Sequence, residues 1–118
     1  LSRGLGDVYK RQQDTFGAAY KSGVKIAFGT DAGVSPHGAN GKEFRFMVEA
    51  GMPVIEAIQS ATVNAADLLN VEDELGQIAP GFHADIVAFN ENPLEDVRVL
   101  ERPDFVMKAG AVFRHDGE

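Results

Sequence analysis

Asp31 is the residue of this sequence best placed to do chemistry. It follows the apolar run of residues 24–30, Val-Lys-Ile-Ala-Phe-Gly-Thr, and such a run predicts a buried β-strand. In a parallel sheet this strand would deliver the carboxylate to the C-terminal rim, where the active sites of (β/α) barrels lie. A carboxylate there can bind a metal ion, accept a proton from water, or do both. An Asp after a strand also caps turns and helices, so a purely structural role stays open.

The loop that follows contributes two further candidates, Gly33 and His37. Gly33 would let a ligand or another backbone come close. His37 could bind substrate or donate a proton in the same pocket as Asp31, and a solvated loop histidine is the alternative. The loop, residues 32–42, is long for a strand-to-helix connection, which usually has about 2–6 residues, and long loops in compact domains are often functional.

The other polar candidates are better explained by structural roles. His83 and His115 are far apart in the sequence and form no metal-binding motif. Asp85 opens a predicted strand, where an acidic side chain more often caps a turn through backbone N–H groups. Glu43 and Arg45 are expected to be solvated or ion-paired.

Composition excludes several classes of function. The 118 residues, 44% hydrophobic and 25% charged, suit one modest globular domain. A formal net charge of −7 argues against nucleic-acid binding, and no apolar run approaches the ~20 residues that a membrane span needs. The absence of cysteine rules out disulfides and thiolate zinc sites. We expect a soluble protein that binds neither nucleic acid nor membrane, with the cytoplasm slightly favoured.

Helices are predicted in the first part of the chain. Residues 13–22 form the first, ended by Gly23, and residues 43–50 form the second, ended by Gly51. The strongest helical pattern runs from Pro53 to about Asn70, with an apolar face of Val54, Ile58, Ala61, Ala65 and Leu68.

Strands are predicted in the second part, after Asp73. They cover residues 76–79 and 84–89, followed by a hairpin of residues 105–108 and 111–114 that turns at Ala109-Gly110. Helices followed by strands indicate two structural units that meet near residue 72, spanning residues 13–72 and 73–118.

Residues 1–12, Leu-Ser-Arg-Gly-Leu-Gly-Asp-Val-Tyr-Lys-Arg-Gln, differ from the rest. They carry three basic residues against one acidic residue, and they show neither helical nor strand periodicity. They also lack the apolar core of a signal peptide. The segment looks like translated sequencing adapter of the kind found in metagenomic gene predictions. We therefore expect the native sequence to begin near Gln13, with its true N-terminus missing.

Five motifs lie in order between Gln13 and Arg114, at residues 28–33, 52–58, 61–66, 75–81 and 84–87. Taken in this order, they resemble the C-terminal third of the amidohydrolase superfamily, especially its imidazolonepropionase-like and Xaa-Pro dipeptidase-like members. The resemblance implies an α/β fold, namely the C-terminal part of a metal-dependent hydrolase (β/α)₈ barrel plus part of a small β-sandwich. Val24–Gly29 would be the last barrel strand, with the barrel helices after it. The sandwich would be a composite of both ends of the longer chain.

The resemblance also implies roles for the candidate residues. Asp31 matches the position of a metal ligand that is also the general base for the attacking water, and the loop with Gly33 and His37 matches a substrate-binding loop. The cofactor would be one or two zinc ions. The family's other metal ligands, several histidines and a carboxylated lysine, have no counterpart in this chain. We therefore expect the 118-residue chain to be inactive alone.

The function implied for a full-length parent is hydrolysis of amide or peptide bonds. Xaa-Pro or related dipeptides are the preferred substrates, because the loop of residues 33–38 fits that branch best. An imidazolonepropionase-like cyclic amide hydrolase is the alternative, and deamination is less favoured. A non-catalytic α+β binding module, in which Asp31 caps a turn, and an open reading frame cut from a longer gene also remain open. The full-length enzyme could form a homo-oligomer.

Overall fold

The structure is a computed structural model that describes residues 2–29 and 40–116, with side chains from Lys10 onward. Four helices precede a three-stranded sheet. The helices are α1 (Ser2–Lys21), α2 (Lys42–Glu49), α3 (Val54–Ala61) and α4 (Val63–Leu68), and the strands are β1 (Ile86–Ala88), β2 (Phe105–Lys108) and β3 (Ala111–His115), with a short 3₁₀ helix at Val97–Glu101. This mixed content agrees with the predicted α/β class.

The first helix is longer than its sequence pattern indicated. It begins at Ser2 instead of near residue 13, and it ends at Lys21 before Gly23, whose φ of 85° suits a helix stop. Once a helix is nucleated, each further residue adds a backbone hydrogen bond at little cost, so a segment without an apolar face can extend it. The proposed foreign origin of residues 1–12 stays a prediction.

Two predicted strands are absent from the described residues. Residues 24–29 and 76–79 carry no strand pairing. A strand needs a neighbour for its backbone groups. Residues 24–29 instead make two backbone hydrogen bonds to helices, from the Val24 N–H to the Ala19 carbonyl oxygen at 3.2 Å and from the Phe28 N–H to the Ser60 carbonyl oxygen at 2.8 Å. In the second segment, Ile78 is 82% exposed.

The long helix predicted from Pro53 is two helices. The break falls at Thr62, with φ −120° and ψ −93°, between α3 and α4. The predicted apolar face is also only partly correct. Leu68 is exposed, and the residues that α3 buries completely are the small Ala57 and Ser60. Small side chains allow the neighbouring elements to approach α3 closely.

The main core lies among the first three helices and the segment before Asp31. Met47, Met52 and Ala57 are buried there, and partly buried apolar side chains surround them: Phe16, Tyr20, Ile26, Phe28, Phe44 and Val48. Gly17 of α1 lies so close to the end of α2 that an added Cβ would be 2.8 Å from the Ala50 carbonyl oxygen. None of the helices in the described ranges is long and apolar enough to span a membrane.

The sheet is an antiparallel meander in the order β1-β2-β3. The predicted hairpin is confirmed, because β2 and β3 are joined by Ala109 and Gly110, which both have positive φ, 50° and 83°. Positive φ at both central residues is the signature of a type I′ hairpin turn. The 3₁₀ helix before β2 has no counterpart in the sequence prediction, and its N-cap is Asp96, whose side chain accepts the Arg98 N–H at 3.0 Å.

Candidate functional site

The three predicted site residues, Asp31, Gly33 and His37, lie outside the described residues. Their roles therefore stay predictions. The structure does describe the segments on both sides of them, which end at Gly29 and begin at Asn40, and these flanks fix where the candidate segment starts and finishes.

The upstream flank is held through Phe28, three positions before Asp31. Its ring stacks on Phe44 of α2, with the ring centroids 4.6 Å apart and the planes 21° from parallel. Its backbone N–H donates to the Ser60 carbonyl oxygen at the end of α3, at 2.8 Å. One residue is thus attached to two helices, by its side chain and by its backbone.

The downstream flank is held through Gly41. A Cβ on this glycine would lie 2.7 Å from the Leu100 carbonyl oxygen and 2.9 Å from the Glu101 Cα. The start of α2 is therefore packed directly on the 3₁₀ helix. Phe28, Gly41 and Phe44 line the same cleft, so the two described flanks lie in one region of the molecule.

That cleft has a volume of about 760 Å³ and lies between the helices and the sheet. Ile58, Ala61 and Ala65, three residues of the predicted apolar face, line it together with Ile86 and Val87 of β1. Its wall is mostly apolar. The cleft offers packing surface and no set of converging polar groups, so the described part of it does not form a catalytic centre.

A metal centre is likewise not assembled by residues 2–29 and 40–116. Nowhere in these ranges do three or more His, Asp or Glu side chains gather closely enough to hold an ion. A catalytic zinc ion usually takes three protein ligands. The described residues therefore do not fit a complete zinc site.

Two of the charged candidates set aside from the sequence, Asp85 and Arg45, have structural partners. Asp85 accepts the Ala109 N–H at 2.8 Å, so it holds the hairpin turn, as the capping interpretation predicted, although the turn is the one that follows β2. Arg45 forms an ion pair with Glu101, with Nη1 3.7 Å from Oε2.

Two side-chain pairs account for the perturbed pKa values among the described residues. The pKa of Asp96 is lowered because its carboxylate accepts hydrogen bonds from the side chain and the backbone N–H of Arg98. The pKa of Tyr20 is raised, chiefly because its hydroxyl donates to the Glu56 carboxylate.

Sequence reasoning missed the part played by Ser60. Its side chain is completely buried and its hydroxyl donates back to the Ala57 carbonyl oxygen at 2.6 Å, while its own carbonyl oxygen holds Phe28. A serine beside the predicted apolar face was a possible signal, but the backbone contact with Phe28 has no sequence signature.

Comparison with known proteins assigns the family. The model of the amidohydrolase family matches residues 7–113, which is most of the chain. This chain belongs to the amidohydrolase family. The resemblance inferred from the ordered motifs is thereby confirmed, and the match begins before Gln13.

Individual relatives agree with this assignment. Ochratoxinase of Aspergillus niger is 42% identical over 104 residues, covering 84% of this chain and 21% of ochratoxinase. A Xaa-Pro dipeptidase with methionine bound in its active site superposes with a TM-score of 0.83 at 57% identity, covering 86% of this chain and 25% of the dipeptidase. A prolidase complexed with N-methylphosphonate-L-proline gives a TM-score of 0.78 at 34% identity, covering 87% and 26% of the two chains. The chain thus spans about a quarter or less of the length of these relatives.

Proposed function

We propose that this chain is the C-terminal part of a metal-dependent amidohydrolase that cleaves dipeptides of the Xaa-Pro type. The observation that carries this proposal is the 57% identity and TM-score of 0.83 with a Xaa-Pro dipeptidase over 86% of the chain. The similarity to a prolidase bound to an N-phosphonyl proline analogue supports the same substrate class.

In this proposal residues 13–72 supply the last strand and following helices of a (β/α)₈ barrel, and residues 73–118 supply part of a small β-sandwich. The barrel would provide neighbours for residues 24–29, which carry no strand pairing here. Pairing would satisfy the remaining backbone groups of this segment, apart from the N–H groups of Val24 and Phe28, which already donate to helix carbonyls, and would make it the strand that the apolar pattern predicts. It would also place Asp31 at the C-terminal rim.

Asp31 is proposed as the central catalytic group and as a metal ligand, with the other ligands supplied by parts of the parent enzyme outside this chain. One or two zinc ions would lower the pKa of a bound water toward neutrality. The Asp31 carboxylate accepts the proton of the attacking water and returns it to the leaving nitrogen, so its proton affinity has to suit both steps. His37 orients the substrate carbonyl, and Gly33 lets the substrate approach the backbone.

A full-length enzyme with the Asp31→Asn change tests this role. Asparagine keeps the size of the side chain but cannot accept the water proton, so turnover of a Xaa-Pro dipeptide should fall by at least about 10³-fold while the circular dichroism spectrum is retained. Asp85→Asn is the matched control, because Asp85 accepts a backbone N–H in the hairpin turn and should leave turnover unchanged. Near-normal turnover by the Asp31→Asn enzyme would remove Asp31 from the mechanism.

Substrate class is tested on the same enzyme with a panel of amides. Xaa-Pro dipeptides should be cleaved with the highest kcat/KM, and dipeptides without proline and cyclic amides should be poorer substrates. Preference for a cyclic amide would favour the imidazolonepropionase-like alternative. Calorimetric titration with zinc that detects no binding, together with no turnover of any amide, would favour a non-catalytic binding module.

A further inference from the structure

The break between α3 and α4 determines what the Ser60 carbonyl oxygen binds. In an unbroken helix this oxygen would accept the N–H of Asn64, four residues on. Thr62 leaves the helical conformation instead, with φ −120° and ψ −93°, and the Ser60 carbonyl oxygen accepts the Phe28 N–H at 2.8 Å. Because of the break, the Ser60 carbonyl oxygen binds the segment that contains Phe28 instead of an N–H group of its own helix.

Two contacts hold this break in place. The Thr62 hydroxyl donates to the Ile58 carbonyl oxygen at 2.9 Å, a bond to the preceding turn of the kind that bends helices. Gly76, from the connection that leads to the sheet, lies against the Thr62 backbone. A Cβ on Gly76 would be 2.9 Å from the Thr62 carbonyl oxygen and 3.1 Å from the Ala66 Cβ, so only glycine fits there without displacement.

The segment anchored in this way is tied to both sides of the break. Lys25 forms an ion pair with Asp67 of α4, while Phe28 is bound by Ser60 of α3. The Phe28 ring also stacks on Phe44 of α2. Because the ring can still slide or tilt in a stacked contact, the hydrogen bond to Ser60 is the directional constraint on the Phe28 backbone.

We propose that Thr62 is a positioning residue for catalysis. Its hydroxyl stabilises the helix break, the break directs the Ser60 carbonyl to Phe28, and this hydrogen bond orients the Phe28 backbone three positions before Asp31 in the sequence. The effect on catalysis rests on the proposed function of Asp31. The effect on the Phe28 backbone is independent of any activity.

The test uses the full-length enzyme with Thr62→Val, which keeps the shape of the side chain and removes the hydroxyl, and Thr62→Ser, which keeps the hydroxyl. Hydrogen exchange resolved to single amides is measured together with kcat and KM. In Thr62→Val the Phe28 amide should exchange faster and the Asn64 amide more slowly, because the helix can close across residue 62. A general loss of stability would instead speed exchange at both amides.

Misplacing a catalytic group by about 1 Å can reduce rates by as much as about 10²-fold, so kcat should fall by about 10- to 100-fold with KM nearly unchanged.

Two comparisons isolate the hydroxyl. Thr62→Ser should restore both the exchange pattern and kcat, and Thr15→Val, the same chemical change at an exposed position of α1, should leave both unaltered. If Thr62→Val fails to fold, Thr62→Ala makes the same test with a better helix former.

The outcomes separate the two proposals. Unchanged exchange of the Phe28 amide in a folded Thr62→Val enzyme would overturn the positioning role. Faster Phe28 exchange with unchanged kcat would also overturn it, while leaving Asp31 as the base if Asp31→Asn is inactive. If Asp31→Asn is active, the proposed function fails, and the paired exchange of Phe28 and Asn64 still decides whether Thr62 orients the segment.

Discussion

The hydroxyl of Tyr20 donates a 2.7 Å hydrogen bond to Oε2 of Glu56 and so joins α1 to α3. Tyr20 also packs on the core of Met47, Met52 and Ala57. The bond to Glu56, followed by burial and the negative charge of Glu56, raises the pKa of Tyr20 above its ordinary value of 10.0. The pair therefore links the packing of the first helix to the protonation of one side chain.

A pH-dependent stability follows from this pair. The folded state holds the Tyr20 proton more tightly than the unfolded state, so the stabilisation is fully present below the unfolded pKa and is lost as the pH rises through the raised folded pKa. Tyr20→Phe should lower the urea midpoint at about pH 8 and make its decline toward about pH 11 shallower. Glu56→Gln keeps an acceptor for the hydroxyl and should lose less at pH 8. Parallel declines in the original and Tyr20→Phe proteins would contradict this assignment.

The elements predicted correctly are those with a signal inside their own sequence. Helix α2 was expected at residues 43–50 and spans Lys42–Glu49, because Gly51, with φ 115°, supplies a local stop. The hairpin was predicted from Ala109-Gly110, and both residues adopt the positive φ that such a turn requires. The 3₁₀ helix, in contrast, was not predicted. Its Asp96 cap is a local signal, but a helix this short has too few residues to show a periodic pattern.

The elements predicted wrongly depend on residues distant in the sequence. The break at Thr62 involves Gly76, which packs against its carbonyl group from the connection to the sheet. Residues 24–29 have the composition of a buried strand, yet a strand exists only with a partner, and the described residues offer none. Hydrophobic periodicity indicates which environment a segment suits. It does not show whether a neighbouring strand is present for that segment to pair with.

The candidate site was predicted less from local pattern than from the order of motifs. Asp31 alone was better explained as a turn cap, and the family assignment, now confirmed for residues 7–113, came from several weak motifs in sequence. The anchoring of Phe28 by Ser60 could not be predicted, because a backbone carbonyl has the same chemistry in every residue and only the fold determines which amide it meets.

Asp85 is expected to act in stability and not in catalysis. Its Oδ1 accepts the Ala109 N–H at 2.8 Å, and the neighbouring Gly110 N–H donates to the Ala84 carbonyl oxygen at 3.1 Å. Asp85→Ala should lower the free energy of unfolding by about 0.5–1.5 kcal/mol, the usual net contribution of one hydrogen bond. Asp85→Asn keeps an acceptor oxygen and should lose less. Urea unfolding measures both, and a greater loss for Asn than for Ala would argue against this hydrogen bond.

The hairpin turn can be improved at Ala109. Its φ of 50° is in the left-handed region, which Asn tolerates better than Ala, and Asn-Gly is the preferred pair for this turn. Ala109→Asn should raise the free energy of unfolding by about 1 kcal/mol. The backbone N–H that Asp85 accepts is unaffected. Ala111→Asn, the same change at a strand position without positive φ, should not stabilise the protein. Equal midpoints for the two variants in thermal unfolding would show that the positive φ at residue 109 does not limit the stability of the protein.

Gly17 is expected to be irreplaceable in α1 even though alanine is the better helix former. Ala normally stabilises a helix by up to about 1 kcal/mol relative to Gly. At this position the new Cβ would lie 2.8 Å from the Ala50 carbonyl oxygen, a backbone atom at the end of α2 that cannot rotate away. Overpacking of this kind costs about 1–3 kcal/mol, so Gly17→Ala should lower the urea midpoint. Gly29→Ala is the matched control, because a Cβ there has no atom of the described residues within 4 Å and should leave the midpoint the same or slightly higher. A midpoint raised by Gly17→Ala would mean that α1 and α2 do not pack this closely.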